Sequence, residues 1–513
     1  MKKIVSMLLV LCMTMSFVAC VSAEETWEEA ELYADIDLSE PETINIYFVG
    51  FEAPDWERVN ELVNEKLAEK INTTINFVHV SFADFISSYS LYLAGGTDID
   101  LIYNMTPNDF SGFAASGAFA ELTEEFLQTY MPQTWASQDP ALWEDVKFGG
   151  KIYGVPANDT DNNQVGVGTS RNLMEKYGYT VDMIQDLDDL VEYVKTVAAG
   201  EQGTGVYGIN CQNTWPSDAT FLPYMADAFS VGAGTARWFM WKYNESETFD
   251  VNDLFWYADC DEFMDWALMM ADFYASGIYP SSVSSSSKTL DDAIQDGSTI
   301  LIPGMMPTQT TTYNSYYEAR GDELVFIPCQ TDEDSKFLKS FNGQRAVFPA
   351  GAQKIERTAI VLDLLKCDEE IHNLIVGGVE GEHYILNEDG TRELGPKASD
   401  YPWANRFYFV TDDRDPALSL SQEVQAYVDD FDTRTYGSEL FPLTSFIYDA
   451  TKYEAEIAVL NSIMSEYRFS FCLGLFGDDT EAKVEEYREL MHAAGIDDVL
   501  NDYKAQYIAS ISE

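Results

Sequence analysis

Residues 42–103 open on Glu42-Thr43-Ile44-Asn45-Ile46-Tyr47-Phe48-Val49 and end on Asp98-Ile99-Asp100-Leu101-Ile102-Tyr103, and the fold is decided between them. The first run alternates in part between apolar and polar residues and stops at Gly50, the pattern of a strand. Asp55 to Lys70 (DWERVNELVNEKLAEK) then carries Trp56, Val59, Leu62, Val63 and Leu67 near helical spacing, which predicts a helix. Thr74 to Val80 predicts a second strand. Phe82 to Ala94 predicts a helix closed by Gly95-Gly96, a stop signal. The third run, Asp98 to Tyr103, is again a strand. Strand, helix, strand, helix, strand is the order of a parallel sheet with right-handed crossovers. Open sheets of this kind present their binding loops at the carboxyl ends of the strands. The loops after Val49 and Tyr103 are therefore the first place to look for a site. The same α/β pattern continues along the chain.

Upstream, Lys2 and Lys3 precede a mostly apolar run, Ile4 to Val18, shorter than the ~20 residues a spanning helix needs. This is the form of an export signal, residues 1–23. Two cleavage readings stay open. Phe17-Val18-Ala19-Cys20 has the form of a lipoprotein signal with Cys20 as the lipidated first residue. Val21-Ser22-Ala23 before Glu24 has the form of an ordinary signal-peptidase site. The mature chain is then extracytoplasmic. It is either anchored to the outer face of the cell membrane through lipid alone or secreted.

Composition narrows the class of partner. The 513 residues suffice for two or three domains, and at 46% hydrophobic they can bury substantial cores. The 87 acidic residues outnumber the 30 basic ones, for a formal charge of −57. Such a surface repels phosphate backbones and anionic lipid, which excludes nucleic acid as a partner and excludes membrane contact except through an anchor. Dispersed as they are, the acids read as a solubilising coat.

Motifs for reaction chemistry are missing. The cysteines Cys211, Cys260, Cys329, Cys367 and Cys472 form no CxxC, and the four histidines show no zinc spacing, so no metal and no cofactor are expected. No P-loop and no GxSxG elbow occur. Gly166-Val167-Gly168 lacks the third glycine of a dinucleotide fingerprint, Arg171 standing in its place. Asp159-Thr160-Asp161-Asn162-Asn163 opens like a calcium loop, but Gln164 replaces the turn glycine and Ser170 the bidentate glutamate.

Several segments carry a resemblance. Leu93 to Ile102 (LAGGTDIDLI) resembles the LASGxxPDV segment of family 1 extracellular solute-binding proteins, the group that contains maltodextrin-binding proteins. Gly117 to Thr123 is similar to their GxLxDLT turn, and Gly150 to Pro156 (GKIYGVP) to their GKxYGVP crossover. Ser170 to Gly178 resembles their YRKDLLEKAG segment. Asp296 to Ile300 stands where xGKAAM is usual, without the lysine. Gly378 to Tyr384 (GVEGEHY) is similar to the GIEGxHY mark of a lipoprotein subgroup. Ser445 to Asp449 and Ala494 to Asp497 are similar to that subgroup's GFxFD and AGID signatures.

The resemblance implies an α/β fold of two lobes, periplasmic-binding-protein-like (type II), joined by hinge crossovers. Lobe 1 would comprise 24–157 and 327–378, with Leu324 to Pro328 as the return strand. Lobe 2 would comprise 158–326 and 379–513 with C-terminal helices. The implied function is the binding component of an ABC-type importer, not an enzyme. An oligosaccharide would be its ligand and permease subunits its partners. The alternatives are a receptor that presents ligand to a membrane sensor and a secreted glycan-active enzyme.

Sugars call for planar amides and carboxylates at their edges and aromatic faces for stacking. These residue types occur where the cleft would lie. Phe51 and Glu52 follow the first strand, and Asn104, Thr106, Asn108 and Asp109 follow the third. Asn158 and Asp159 sit at the first crossover. Gln212, Asn213 and Trp215 follow a strand expected at Val206 to Asn210, and Trp403 and Asn405 follow the GVEGEHY segment. Trp215 and Trp403 are the stacking candidates, whereas Trp56 and Trp266, at helical positions, read as core. If Cys20 carries lipid, Cys20→Ala expressed in the native host releases the protein to the medium. A wild-type protein already free, beginning at Glu24, gives the opposite answer.

Overall fold

The computed structural model describes residues 32–33, 36–49, 53–80, 82–94, 98–105, 108, 110–158, 160–162, 166–211, 225, 228–230, 238–242, 249–328, 339–341, 343–401, 408–412, 414–429, 441–443, 446 and 448–511. Strand β1 (Glu42–Val49) pairs in parallel with β2 (Thr73–Val80) and β3 (Leu101–Asn104). Helix α1 (Trp56–Ile71) and helix α2 (Phe82–Ala94) make the crossovers. On α1 the buried residues are Val59, Val63, Leu67 and Ile71, one per turn. Asn72 ends it in the left-handed region at φ 51°, its N–H on Ala68 O, a cap that asparagine tolerates.

The chain then passes through β4 (Val155–Pro156), β5 (Thr160–Asn162) and β6 (Gly166–Ser170). Helices α3 (Leu187–Gly200) and α4 (Asp261–Ala275) follow, then β7 (Ile302–Met305), α5 (Thr310–Glu318) and β8 (Leu324–Pro328). The return runs through β9 (Lys339–Phe341) and β10 (Arg345–Val347) to α6 (Ile355–Cys367) and α7 (Glu369–Gly377). The C-terminal helices are α8 (Glu454–Cys472), α9 (Thr480–Ala493) and α10 (Ile496–Ser510). One sheet has the order β2-β1-β3-β10-β4, another β7-β6-β8, and β5 and β9 form a two-stranded antiparallel pair between them in the sequence.

Two large cores result, the two lobes of a mixed α/β molecule. The first gathers Ile44, Ile46, Leu101, Ile102, Val347, Ile360 and Leu364, with Phe409 and Val410 added from far downstream. The second gathers Val167, Val194, Trp241, Trp266, Val325, Leu460, Tyr487 and Val499. Charged groups drawn into the first core are met there. Arg357 donates to Ile71 O (3.0 Å) and to Thr73 Oγ1 (2.8 Å). Asp363 accepts from Thr134 N and from Tyr33 Oη, both at 2.7 Å. Lys366 donates to Pro156 O at 3.0 Å.

The cores divide at other points than the sequence suggests. Ile327 packs in the second core, because β8 pairs with β6 along its whole length. The chain therefore returns after Pro328 and not at 327. Residues 379–401 and 408–410 pack against the first lobe instead of joining the second. His383 Nε2 meets Asp55 Oδ2 at 3.1 Å, Glu382 pairs with Arg58 at 3.1 Å, and Tyr401 packs on Ala53 and Val59. The strand expected at Val206 to Asn210 is reduced to an isolated bridge between Tyr207 and Thr299. Trp266 is buried in the second core, and Trp56 packs partly buried against the first, its ring parallel to Tyr401. Among the described residues no helix is long and apolar enough to cross a membrane.

At the junction, Gly166 lets β6 press against β8. A Cβ there would lie 2.4 Å from Ile327 O and 2.7 Å from the Phe326 ring. Gly166→Ala must spread the two strands, and the expected loss is about 1–3 kcal/mol in denaturant unfolding.

Candidate functional site

The candidate site begins at the carboxyl end of β3. Asn104 is fully buried; its Nδ2 donates to Tyr89 Oη at 3.1 Å, and its Oδ1 has no hydrogen-bond partner. Asn108, in the loop beyond, is also buried, and its Nδ2 has none. A buried amide left unmatched costs about 1–3 kcal/mol, so groups of this kind mark places where water or ligand completes the bonding. Antiparallel pairing sets Arg345 of β10 opposite Asn104. The Arg345 guanidinium lies over the Phe110 ring at 4.6 Å and donates to Asp145 O at 3.0 Å, while its Nε is unmatched. Burial holds the Asp145 carboxyl above the usual range, with Arg345 pulling the other way. Three polar groups with spare bonding capacity thus gather at one end of the sheet.

Asn158 is used differently. Its Oδ1 accepts from Asp139 N at 3.0 Å and its Nδ2 donates to Asp412 Oδ2 at 2.8 Å, while its N–H bonds Thr411 O. The amide ties the first crossing to the stretch that begins at Thr411. Arg414 Nε holds the other oxygen of Asp412 at 2.6 Å, and His372 Nε2 holds Asp415 at 2.7 Å. Phe51, Glu52, Thr106, Asp109, Asp159, Gln212, Asn213, Trp215, Trp403 and Asn405 lie outside the described residues, as does Cys20.

Other residues of the neighbourhood were not singled out in the sequence. Tyr408, just before that stretch, is 37% exposed and stacks on Tyr103 of β3 with ring centroids 6.2 Å apart. Helix α5, in the second lobe, carries Tyr313 and Tyr316. The Tyr313 hydroxyl donates to Asp291 Oδ1 at 3.2 Å. Burial drives the Tyr313 phenol far above its ordinary range, with the Asp291 charge and the nearby Tyr408 phenol adding to the shift. Burial likewise raises Asp291, opposed by the Tyr313 hydrogen bond. Thr311 Oγ1 donates to Ser419 O at 2.7 Å, fastening α5 to the stretch after Thr411, the third crossing between the cores after 158–166 and 328–339. The only signal in the sequence was the tyrosine-rich, otherwise polar run Thr310-Thr311-Thr312-Tyr313-Asn314-Ser315-Tyr316-Tyr317. Tyr317 of that run is buried, which helical spacing alone does not separate from Tyr313.

Two α/β lobes joined by paired strands, with unmatched amides at the carboxyl end of β3, fit a solute-binding class of protein. Residues 53–308 match the family of bacterial extracellular solute-binding proteins, and residues 442–509 match a domain of unknown function, DUF3502. No curated protein sequence matches this chain. Among solved structures, the chain is similar to the N-glycan transport solute binding protein (NgtS) from Streptococcus pneumoniae. The identity is 17% and the TM-score 0.69, over 92% of this chain and 99% of that one. The S. pneumoniae ABC-transporter substrate binding protein FusA, solved with kestose, is similar at 14% identity and TM-score 0.62, over 92% and 99%. An HMO-binding, ABC-transporter-associated solute binding protein from Bifidobacterium longum infantis gives 14% and 0.62, over 91% and 99%. At these identities the likeness is one of fold.

Asp291 offers a test by pH. An aspartate whose folded pKa is raised stabilises the fold only while protonated, so above the ordinary value of 3.8 its charge weighs against folding. Asp291→Asn should therefore raise the melting temperature at pH 7, and the gain should fade as pH falls through the raised folded pKa and be gone at 3.8 and below. The same substitution keeps an acceptor for Tyr313.

Proposed function

We propose that this chain is the solute-binding component of an ABC importer, exported and held at the outer membrane face by lipid on Cys20. It captures an oligosaccharide between its lobes and delivers it to permease subunits, without making or breaking bonds. The observation that supports this reading is the pair of buried, unmatched amides, Asn104 and Asn108, at the carboxyl end of β3, beside the stacked rings of Tyr103 and Tyr408. Hydroxyl fans suit the amides of Asn104 and Asn108, and the apolar faces of sugar rings suit Tyr313, Tyr316 and Tyr408. Trp215 and Trp403, with Phe51, Glu52, Thr106, Asp109, Asn158, Asp159, Gln212, Asn213 and Asn405, are assigned to the same cleft. Asn158 acts there by holding two crossings together. The sugar ligands named for NgtS and FusA favour an oligosaccharide here. Ligand stabilises a closed arrangement through contacts made only in that state.

Two measurements test the proposal. Thermal shift against a panel of oligosaccharides should find a ligand that at ~100 times its Kd adds ~2.7 kcal/mol of stability. With that ligand, small-angle scattering should give a smaller radius of gyration. Tyr408→Ala and Trp215→Ala should each weaken binding roughly thirtyfold, the ~2 kcal/mol of a stacked hot spot, with little change in the apo melting temperature. Intact affinity in both variants overturns the assignment of these rings to the site.

A further inference from the structure

A second site lies away from the cleft, where the C-terminal helices meet the second lobe. His492, in the last turn of α9, stands between two carboxylates. Its Nε2 is 2.9 Å from Asp259 Oδ1, in the turn after Phe255–Trp256, and its Nδ1 is 2.8 Å from Asp497 Oδ2, in the first turn of α10. Ligand atoms from all three residues lie within 4.8 Å of one another.

The surroundings hold this group in place. Arg488, one turn before His492 on the same face of α9, donates to Ala258 O (2.6 Å) and Cys260 O (2.8 Å), gripping the turn on both sides of Asp259. The Trp256 ring meets the imidazole edge-on at 5.7 Å. Gly495, at φ 98°, makes the tight link that brings Asp497 back toward His492. Alongside opens a groove of about 360 Å³ lined by Asp253, Phe255, Asp259, Cys260, Asp261 and Lys242.

We propose that Asp259 and His492 Nε2 hold a divalent transition-metal cation of the zinc class, with Asp497 orienting the imidazole from Nδ1, so that the ion clips α9, and α10 through Asp497, to the second lobe. One imidazole with a carboxylate is a donor pair that zinc accepts, and the open groove leaves room for its water ligands. The Nε2–Oδ1 separation is near the edge of a zinc polyhedron with bonds of about 2.0–2.1 Å. Asp497 on Nδ1 fixes the ring as the carboxylate partners of metal-binding histidines do. The strongly negative molecule concentrates cations at its surface. Imidazole and carboxylate bind a cation only in their deprotonated forms, so binding tightens as pH rises.

Calorimetric titration of the untagged, full mature chain with zinc chloride tests this. One equivalent should bind with proton release, the release being larger at pH 6 than at pH 8. His492→Gln should abolish that equivalent, and Asp259→Asn and Asp497→Asn should each weaken it by roughly tenfold or more. The melting temperatures of the variants in EDTA verify that they fold. Absence of zinc binding, zinc binding unchanged in all three variants, or calcium binding as tightly as zinc would each overturn the proposal. The second of these assigns the zinc to other groups, and the third reduces the site to an acidic surface without imidazole ligation.

Discussion

The structure depends on the pairing of outgoing and returning strands between two cores. Thr160–Asn162 pairs with Lys339–Phe341, and Gly166–Ser170 with Leu324–Pro328, so the chain leaves and re-enters the first lobe along hydrogen-bonded tracks. Neither core is complete without the return. Val347 and Ile360 lie in the first core beside Ile44 and Leu101, while Leu460 and Val499 finish the second beside Val167. A narrow connection of this kind lets two rigid bodies turn about a few backbone dihedrals, since packed cores resist deformation. The third crossing is stitched to the first by Asn158 and Asp412.

Polar groups in the first lobe divide into two sorts. Arg357, Asp363 and Lys366 are buried and fully engaged, as burial of charge demands. Asn104, Asn108 and Arg345 are buried as well, but each keeps an unmatched nitrogen or oxygen. The first group holds helix α6 in the lobe. The second sits at the end of the sheet where binding loops converge, and the difference in bonding is what separates scaffold from candidate site.

The second lobe reaches its cleft through chemistry of its own. Tyr313 and Asp291 are coupled by a hydrogen bond and by mutual displacement of their proton affinities. Tyr408, reaching from the first lobe, enters the same field. The C-terminal helices stand behind this surface and complete the second core, and the His492 group lies at their edge, on the outer turn at Asp259.

Much of the fold was legible in the sequence, because period-2 and helical patterns report directly on burial. Helix Phe82–Ala94 and the strands at 42–49 and 74–80 follow from spacing and stop signals alone, and their order implies a parallel sheet. Spacing also placed Asn104 and Asn108 at the carboxyl end of the third strand, where the structure has them. What it did not carry was which far segment returns to which core. Residues 379–401 stay on the first lobe because His383 and Glu382 find Asp55 and Arg58, partners more than three hundred positions away. Tyr313 and Tyr317 are alike in a sequence window, yet one is open to Asp291 and the other is buried, since only the packing of α5 against β8 decides which face points inward. Local pattern is set by neighbours along the chain. The site is set by contacts between distant segments, and those exist only once both cores have closed.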